Sequence, residues 1–495
     1  MAIIDEGAKS RYKVKNVLMI PIALFSVFMC SAEEPGKFTS ETLAEYGTAP
    51  WFGEAKLGVS MHWSLYSVPA YKTEWYPNQM YYVEGVDKPY KKEVADYHRK
   101  TFGDQKEFGY KDFVPMFKAE NFDADYYADL VKKSGAGYFV APAIHHDGFA
   151  MWDSEEIEWN AVKMGPKRDI VQEFSDAMRK QDIKLGVSTH YGRHWRYYTF
   201  RPEFDNWDPR YEGLYGKRRG DNDSPRPEDA LQWERVLTEL IDNYQPDYTF
   251  IDGGICDGHA KFNTEMFREA LYRVTAYYYN QSDEWGRDVV LTWKRDAMKI
   301  GEAVYDTEGK QGVPGSAGPI AELPWESHMN VKKPGWCYIE GEKAIEVKSI
   351  LAKFIDVVSR NGNLMLNLGP KADGTLPKLQ EQALLDLGEW MAVNGEGITG
   401  SRPWKIHGTG EIDHHGHFDK EAIRFTQKAD AVYAYFVTWP DDKTLAIPWG
   451  TKPGQVDLLG AKTAVAWEFK DGNLIVKLPK ELPCKYLWGL KIGMN

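Results

Sequence analysis

Pro246-Asp247-Tyr248-Thr249-Phe250-Ile251-Asp252-Gly253-Gly254 is a run of aromatic and β-branched residues that stops on a carboxylate and two glycines. That composition reads as a short buried strand with turn residues at its end. A charge at the mouth of an apolar strand is costly unless it is solvated, paired or used. One such strand alone is explained by a turn or a helix cap. The same ending recurs elsewhere in the chain.

Between residues 38 and 398 an amphipathic helix, a tight break and an apolar strand follow one another repeatedly. In Phe122–Gly135, Asp123 is placed to cap, Tyr127, Leu130 and Val131 share a face, and Gly135 stops the helix before strand Tyr138–Ile144. Helix Ile170–Lys180 precedes strand Leu185–Thr189, helix Ala230–Tyr244 precedes Asp247–Ile251, and helix Ile345–Arg360 precedes Asn363–Leu368. Further strands are expected at Lys56–Met61, Val289–Leu291 and Ala303–Tyr305. Strands and helices alternating at this spacing make a parallel sheet. With about eight strands and no glycine-rich dinucleotide loop, the fold class is α/β, a (β/α)8-like (TIM-type) barrel. A flavodoxin-like or Rossmann sheet is the alternative.

After Trp390 the grammar changes. Ala422–Thr426, Ala431–Trp439, Thr444–Pro448, Val465–Phe469 and Asn473–Leu478 alternate without helices between them, and Asp471-Gly472 is a hairpin turn. Residues 400–495 are therefore expected to form a C-terminal antiparallel β-sandwich domain. It carries Asp413-His414-His415-Gly416-His417, a metal-like cluster that reads more simply as a solvated loop.

Lys13 and Lys15 precede an apolar run from Val17 to Cys30 and then Ser31-Ala32. This run is too short to span a bilayer and fits a secretory signal over residues 1–32, with no integral membrane span once it is removed. Export to the periplasm or the extracellular space follows. A lipid on Cys30 is disfavoured because bulky Met29 precedes it. The mature chain keeps Cys256, Cys337 and Cys484, which lack metal spacing and are expected as free thiols. A net charge of -12 over 495 residues excludes a nucleic-acid partner. The 18 Trp and 29 Tyr suit stacking on sugars, although large barrels also use such rings as core.

The strand ends carry the chemistry. The first delivers His62-Trp63, the second His145-His146-Asp147, the third His190-Tyr191, the fourth Asp252 and the fifth Lys294. Glu308 follows the sixth, and the last ends near Asn367. Polar groups repeated on one rim of a barrel describe a pocket on a rigid scaffold. A metal hydrolase is a minority reading, because adjacent His145 and His146 point to opposite faces and the first strand offers only His62. Neither a metal nor a cofactor is expected. No Gly-x-Ser-x-Gly elbow stands at a strand end. Two separate carboxylates beside neutral histidines and aromatics suit glycoside hydrolysis.

Lys56-Leu57-Gly58, His62-Trp63-Ser64-Leu65-Tyr66, Glu74-Trp75-Tyr76-Pro77, His145-His146-Asp147-Gly148-Phe149 and Asn361-Gly362-Asn363-Leu364-Met365-Leu366-Asn367-Leu368-Gly369-Pro370 occur in this order. In these blocks the chain resembles the α-L-fucosidases of glycoside hydrolase family 29. The resemblance implies an exo-acting, retaining, metal-independent enzyme that releases terminal α-L-fucose from a fucosylated oligosaccharide or polysaccharide. It implies Asp252 as nucleophile and Glu308 as acid/base, with Glu326 and Glu302 as the fallback acids. His62, Glu74, Trp75, His145 and His146 match sugar-binding positions, to which His190, Tyr191, Phe250, Lys294 and Trp336 are added as pocket residues. Trp336 or Phe250 would face the methyl of a 6-deoxy sugar.

The sequence departs from the family at Ser188-Thr189-His190, at Phe250 and at Lys294, where an Arg is common. These departures leave open a related sugar such as an α-galactoside, and a glycan-binding protein without hydrolysis. Arg193, Arg196 and Arg201, interleaved with aromatics after the third strand, suggest an anionic glycan such as a sulfated one. The plainer reading pairs them with Glu203, Asp205 and Asp208.

Overall fold

The computed structural model describes residues 36–252, 264–308 and 319–494; the apolar segment Val17–Cys30 and Cys256 lie outside them. Eight parallel strands close into a barrel in sequential order: β1 (Leu57–Met61), β2 (Tyr138–Ile144), β3 (Lys184–Thr189), β4 (Tyr248–Ile251), β5 (Val290–Lys294), β6 (Val304–Asp306), β7 (Trp325–Asn330) and β8 (Gly362–Leu368). β8 pairs with β1 from Leu57 against Leu364 to Met61 against Leu368, which closes the ring.

The helix grammar holds in detail. Asp123 accepts from Tyr126 N and Asp169 from Gln172 N, so both acids cap the helices they precede. Gly135 ends its helix at φ 83°, a left-handed turn that glycine adopts without steric cost. Helices Glu265–Trp285 and Lys378–Asn394 complete the series without having been singled out by the sequence reading. Among the described residues no helix is long and apolar enough to cross a membrane.

The barrel strand without a counterpart in the sequence expectations is β7. Trp325-Glu326-Ser327-His328-Met329-Asn330 has no apolar run, yet it is almost entirely buried. Its polar groups are satisfied within the barrel. Glu326 accepts from Tyr138 Oη at 2.5 Å and from Tyr248 Oη, and it meets His328 Nε2 at 3.1 Å. The floor beneath is apolar, with Phe52, Tyr138, Tyr248 and Met365 in contact. Gly58 lets the Tyr138 ring lie where a Cβ would sit 2.3 Å from it.

The C-terminal part forms two antiparallel sheets, as expected. One has five strands in the order Arg402–Thr409, Ile423–Lys428, Ala431–Phe436, Trp488–Gly493 and Val456–Leu458. The other has three, Thr444–Pro448, Asn473–Lys477 and Ala466–Lys470. Phe425, Phe436, Ile447, Leu474, Val476 and Leu490 fill the space between them. Arg402–Thr409, Val456–Leu458 and Trp488–Gly493 escaped the sequence reading, the first because its side chains are half exposed and keep no clean alternation. Arg424, fully buried, ties the sandwich to the barrel through Asp356 at the Nε–Oδ1 pair.

Candidate active site

The strand ends are held by an extension of the barrel ladder. The backbone N–H groups of His62, His190 and Asp252 donate to Leu368, Ile144 and Thr189 carbonyls at 2.9, 2.9 and 3.0 Å. Each side chain therefore leaves a fixed backbone at the rim where β1, β3 and β4 stop.

Lys294, the last residue of β5, is the electrostatic centre. Its Nζ lies 2.6 Å from Asp252 Oδ1, 3.6 Å from Asp306 Oδ2 and 3.6 Å from Glu308 Oε1. Two oxygens bound to one nitrogen at 2.6 and 3.6 Å cannot be farther apart than those lengths together, so Asp252 and Glu308 face each other across one small space. Burial opposes the lysine charge, but Asp252, Asp306 and Glu308 outweigh it and raise its pKa. Burial likewise opposes ionisation of Asp252, yet Lys294, His190 and His146 hold its carboxyl well below the usual range. Next to them, burial would lower the His328 pKa, but Asp306 at 3.6 Å and Glu326 at 3.1 Å raise it overall. Acidic and basic side chains thus alternate from Asp252 through Lys294, Asp306 and His328 to Glu326.

Replacing Lys294 by Met removes the cation that three carboxylates share. Leaving a buried charge unpaired costs about 3–5 kcal/mol, so Lys294→Met is expected to lower denaturant-unfolding stability by that amount. Lys294→Arg should keep most of it. Equal stability of Lys294→Met and the parent would show that the ammonium is not needed as a counterion.

The histidines occupy the opposite wall. His62, His145 and His190 each bring a ring nitrogen within 4.8 Å of the others. The pair considered from sequence, His145 and His146, does diverge: His145 joins this trio, while His146 Nε2 faces Asp252 Oδ2 at 3.4 Å. The trio comes from three different strands, which sequence spacing does not reveal. Its geometry suits a metal or a ring of sugar hydroxyls equally well. Burial drives the pKa of His62 down to about 4 and that of His145 and His190 well below their usual value, so all three are neutral near pH 7.

Asn367 fixes the tautomer of His62. Its amide nitrogen donates to Asn330 Oδ1 at 2.6 Å and to the Trp336 carbonyl at 2.7 Å, so its oxygen is the partner of His62 Nδ1 at 2.7 Å. His62 Nδ1 therefore carries the proton and Nε2 is an acceptor. His145 Nδ1 is buried with no hydrogen-bond partner, an orphan of the kind that a ligand hydroxyl satisfies. His146 Nδ1 donates to the His190 carbonyl. Burial lowers the His146 pKa, although only the doubly protonated ring would satisfy both of its acceptors.

Aromatic walls complete the pocket. Trp336 lies 5.4 Å from the His62 ring, and its backbone N–H donates to Glu74 Oε2 at 3.0 Å. Phe250 lies under Lys294 Nζ at 4.9 Å and packs on His190 and His328. Trp75 packs on His146 at 4.9 Å. Tyr191 is brought elsewhere: its ring stacks on His194 at 4.7 Å and lines a separate cavity with Glu156 and Arg226. Glu302 is also remote in its contacts, accepting from Tyr272 Oη and Lys299 N. Glu326 is fully buried between two tyrosines. Among the three glutamates considered, only Glu308 meets Lys294. Asp306 and His328 were not singled out from sequence, Asp306 because it passed as an ordinary part of the glutamate segment and His328 because β7 was not recognised.

The basic loop is largely committed to protein contacts. Arg201 pairs with Asp221 at 2.7 Å, not with Glu203, Asp205 or Asp208. Arg193 lies over the Trp75 ring at 5.4 Å and Arg196 over Trp195 at 5.5 Å. Asp147, read as part of the second strand end, is fully buried and serves structure. It accepts from Ser64 Oγ at 2.8 Å and Tyr110 Oη at 2.7 Å, and burial pushes its pKa up to about 6.

These buried groups set a pH dependence of stability. Folded His62 and His194 titrate at about 4, so between the unfolded value of about 6.5 and about 4 the unfolded chain binds protons that the folded one does not. Stability falls as pH falls through that window. His145, His146 and His190 act in the same sense, Asp147 and Asp205 act in the opposite one and are fewer, and the raised His328 pKa acts above this window. The melting temperature is expected to drop from pH 6.5 towards pH 4; a flat or rising profile would contradict the neutral-histidine assignment.

A family model described as Alpha-L-fucosidase matches residues 25–396, and a model of the Alpha-L-fucosidase C-terminal domain matches residues 418–493. Human tissue alpha-L-fucosidase is 28% identical over 483 residues, with 93% of each chain covered. Plasma alpha-L-fucosidase of Pongo abelii is 30% identical, with 94% of each chain covered. Among solved structures, Thermotoga maritima alpha-fucosidase in complex with fucose matches with a TM-score of 0.73 at 29% identity, over 92% of this chain and 100% of that one.

Proposed function

The chain belongs to the α-L-fucosidase family, and from that premise we propose that it is an exported, exo-acting retaining α-L-fucosidase that releases terminal α-L-fucose from a fucosylated oligosaccharide or polysaccharide. Asp252 attacks the anomeric carbon while Glu308 gives its proton to the departing glycosidic oxygen. The C–O bond breaks and a fucosyl ester forms on Asp252. Glu308, now a carboxylate, takes a proton from water, which attacks the same carbon and frees fucose with its configuration retained.

The observation that carries this reading is the shared ammonium: Lys294 holds Asp252 at 2.6 Å and Glu308 at 3.6 Å. It draws both carboxylates to one ammonium, which suits the close spacing of retaining enzymes, about 5–5.5 Å, better than the wider one of inverting enzymes. It also keeps Asp252 ionised and nucleophilic. The neutral trio His62, His145 and His190 supplies donors and acceptors for sugar hydroxyls, and Trp336 and Phe250 supply apolar surface for the 6-methyl group. Export rests on the apolar run Val17–Cys30.

The test is hydrolysis of an aryl α-L-fucoside beside an aryl α-galactoside. Release from the fucoside at the higher kcat/KM is expected. Preference for the galactoside would overturn the sugar assignment, and binding of fucose without release from either would favour a glycan-binding protein. A sulfated substrate is the second reading, favoured by the Arg193 guanidinium over Trp75 at the pocket edge. It predicts faster turnover of a sulfated than of a desulfated fuco-oligosaccharide, an advantage that added salt erases; equal rates at low salt would end it.

A further inference from the structure

A cleft of about 840 Å³ runs from Glu308 and Trp336 on the barrel to His414, His415 and His417 on the sandwich. Lys332, Lys333 and Lys353 line its length. We propose that this cleft is the binding site for the leaving-group oligosaccharide, with the His414–His417 loop as its outer wall. The proposal deepens the fucosidase reading and rests on it.

Three observations carry it. The first is direction. A general acid must reach the glycosidic oxygen, so the leaving group lies on the Glu308 side of the pocket, and this cleft begins there. The second is size. About 840 Å³ falls in the range of pockets that enclose a drug-sized ligand, roughly 300–1,000 Å³. On the fucosidase reading the strand ends take the fucose ring, and a nitrophenyl group would leave most of the cleft empty.

The third observation is that the outer wall is built. Asp413 Oδ1 accepts from the backbone N–H groups of His415 and His417 at 2.8 and 2.9 Å, and its Oδ2 meets His417 Nδ1 at 2.9 Å. The loop is thereby wound around one carboxylate. Gly416, at φ +78°, presses against the helix Val347–Ser359, where a Cβ would lie 2.0 Å from the Ser349 carbonyl oxygen. Lys353 donates to the His414 carbonyl and to the His328 carbonyl, both at 3.0 Å, joining the loop to β7 beside the reacting carboxylates. The three imidazoles remain exposed on this seat. With His417 Nδ1 engaged by Asp413, its Nε2 is left for a hydroxyl. Imidazoles that can donate and accept, with the exposed Lys333 ammonium nearby, suit a hydroxyl-rich chain.

The test compares kcat/KM of the parent and of the His415→Ala/His417→Ala double variant on an aryl α-L-fucoside and on a fucosylated oligosaccharide of several sugars. The oligosaccharide value is expected to fall about tenfold, through KM, as a pair of lost hydrogen bonds would produce. The aryl fucoside value should stay unchanged, which also reports that the variant is folded. No change on the oligosaccharide, or an equal loss on both substrates, would overturn the proposal. A parent inert on both substrates would overturn the fucosidase reading and the subsite with it.

Discussion

Asp252→Asn is expected to fold like the parent and to hydrolyse an aryl α-L-fucoside at least ~10³-fold more slowly. The amide keeps the shape of the carboxylate but removes its charge and most of its nucleophilicity. The fold should survive because Lys294 keeps Asp306 and Glu308 as partners at 3.6 Å each. Fucose affinity should change far less than turnover, since the histidine wall is untouched. Measured kcat, KM and fucose binding separate these effects. A variant retaining more than a tenth of the parental kcat would remove Asp252 from the reaction.

Glu308→Gln should depend on the substrate. An alkoxide leaving group needs a proton, and loss of a general acid costs about 10²–10⁴-fold. A nitrophenolate needs none, so the first step on an aryl fucoside should be largely spared. Hydrolysis of the ester still lacks its base, so the variant should accumulate fucosyl-enzyme from the aryl substrate. Azide, a nucleophile that needs no base, should then restore turnover and give fucosyl azide of retained configuration. Uniform loss on good and poor leaving groups, without azide rescue, would assign Glu308 to positioning and leave Asp306 as the candidate acid.

The barrel was legible because its helices and most of its strands obey local rules. Asp123 caps as its position predicts, Asp169 does the same before its own helix, and the apolar strands Tyr138–Ile144 and Gly362–Leu368 are buried from end to end. β7 was not legible, since a strand whose inward groups are Glu326, Ser327 and His328 is stabilised by partners far away in sequence. The site was legible to the same depth. Polar strand ends announced His62, His145, His190, Asp252 and Lys294 as residues. Their division of labour was hidden, because it depends on which carboxylates meet one ammonium and which rings meet one another across the barrel. Lys294, read as a substrate contact that had lost an arginine fork, is engaged with three carboxylates of the protein. The His414–His417 loop was read as solvated, and its rings are exposed, but its seat on the barrel required the packing of Gly416 against Ser349.

The nucleophile is identified most directly by incubating the protein with 2-deoxy-2-fluoro-α-L-fucosyl fluoride, which forms the ester faster than it loses it, and mapping the adduct by mass spectrometry. One fluorofucosyl group per chain is expected, on Asp252 and absent from Asp252→Asn. An active protein that takes up no label, or that carries it on another residue, would contradict that assignment.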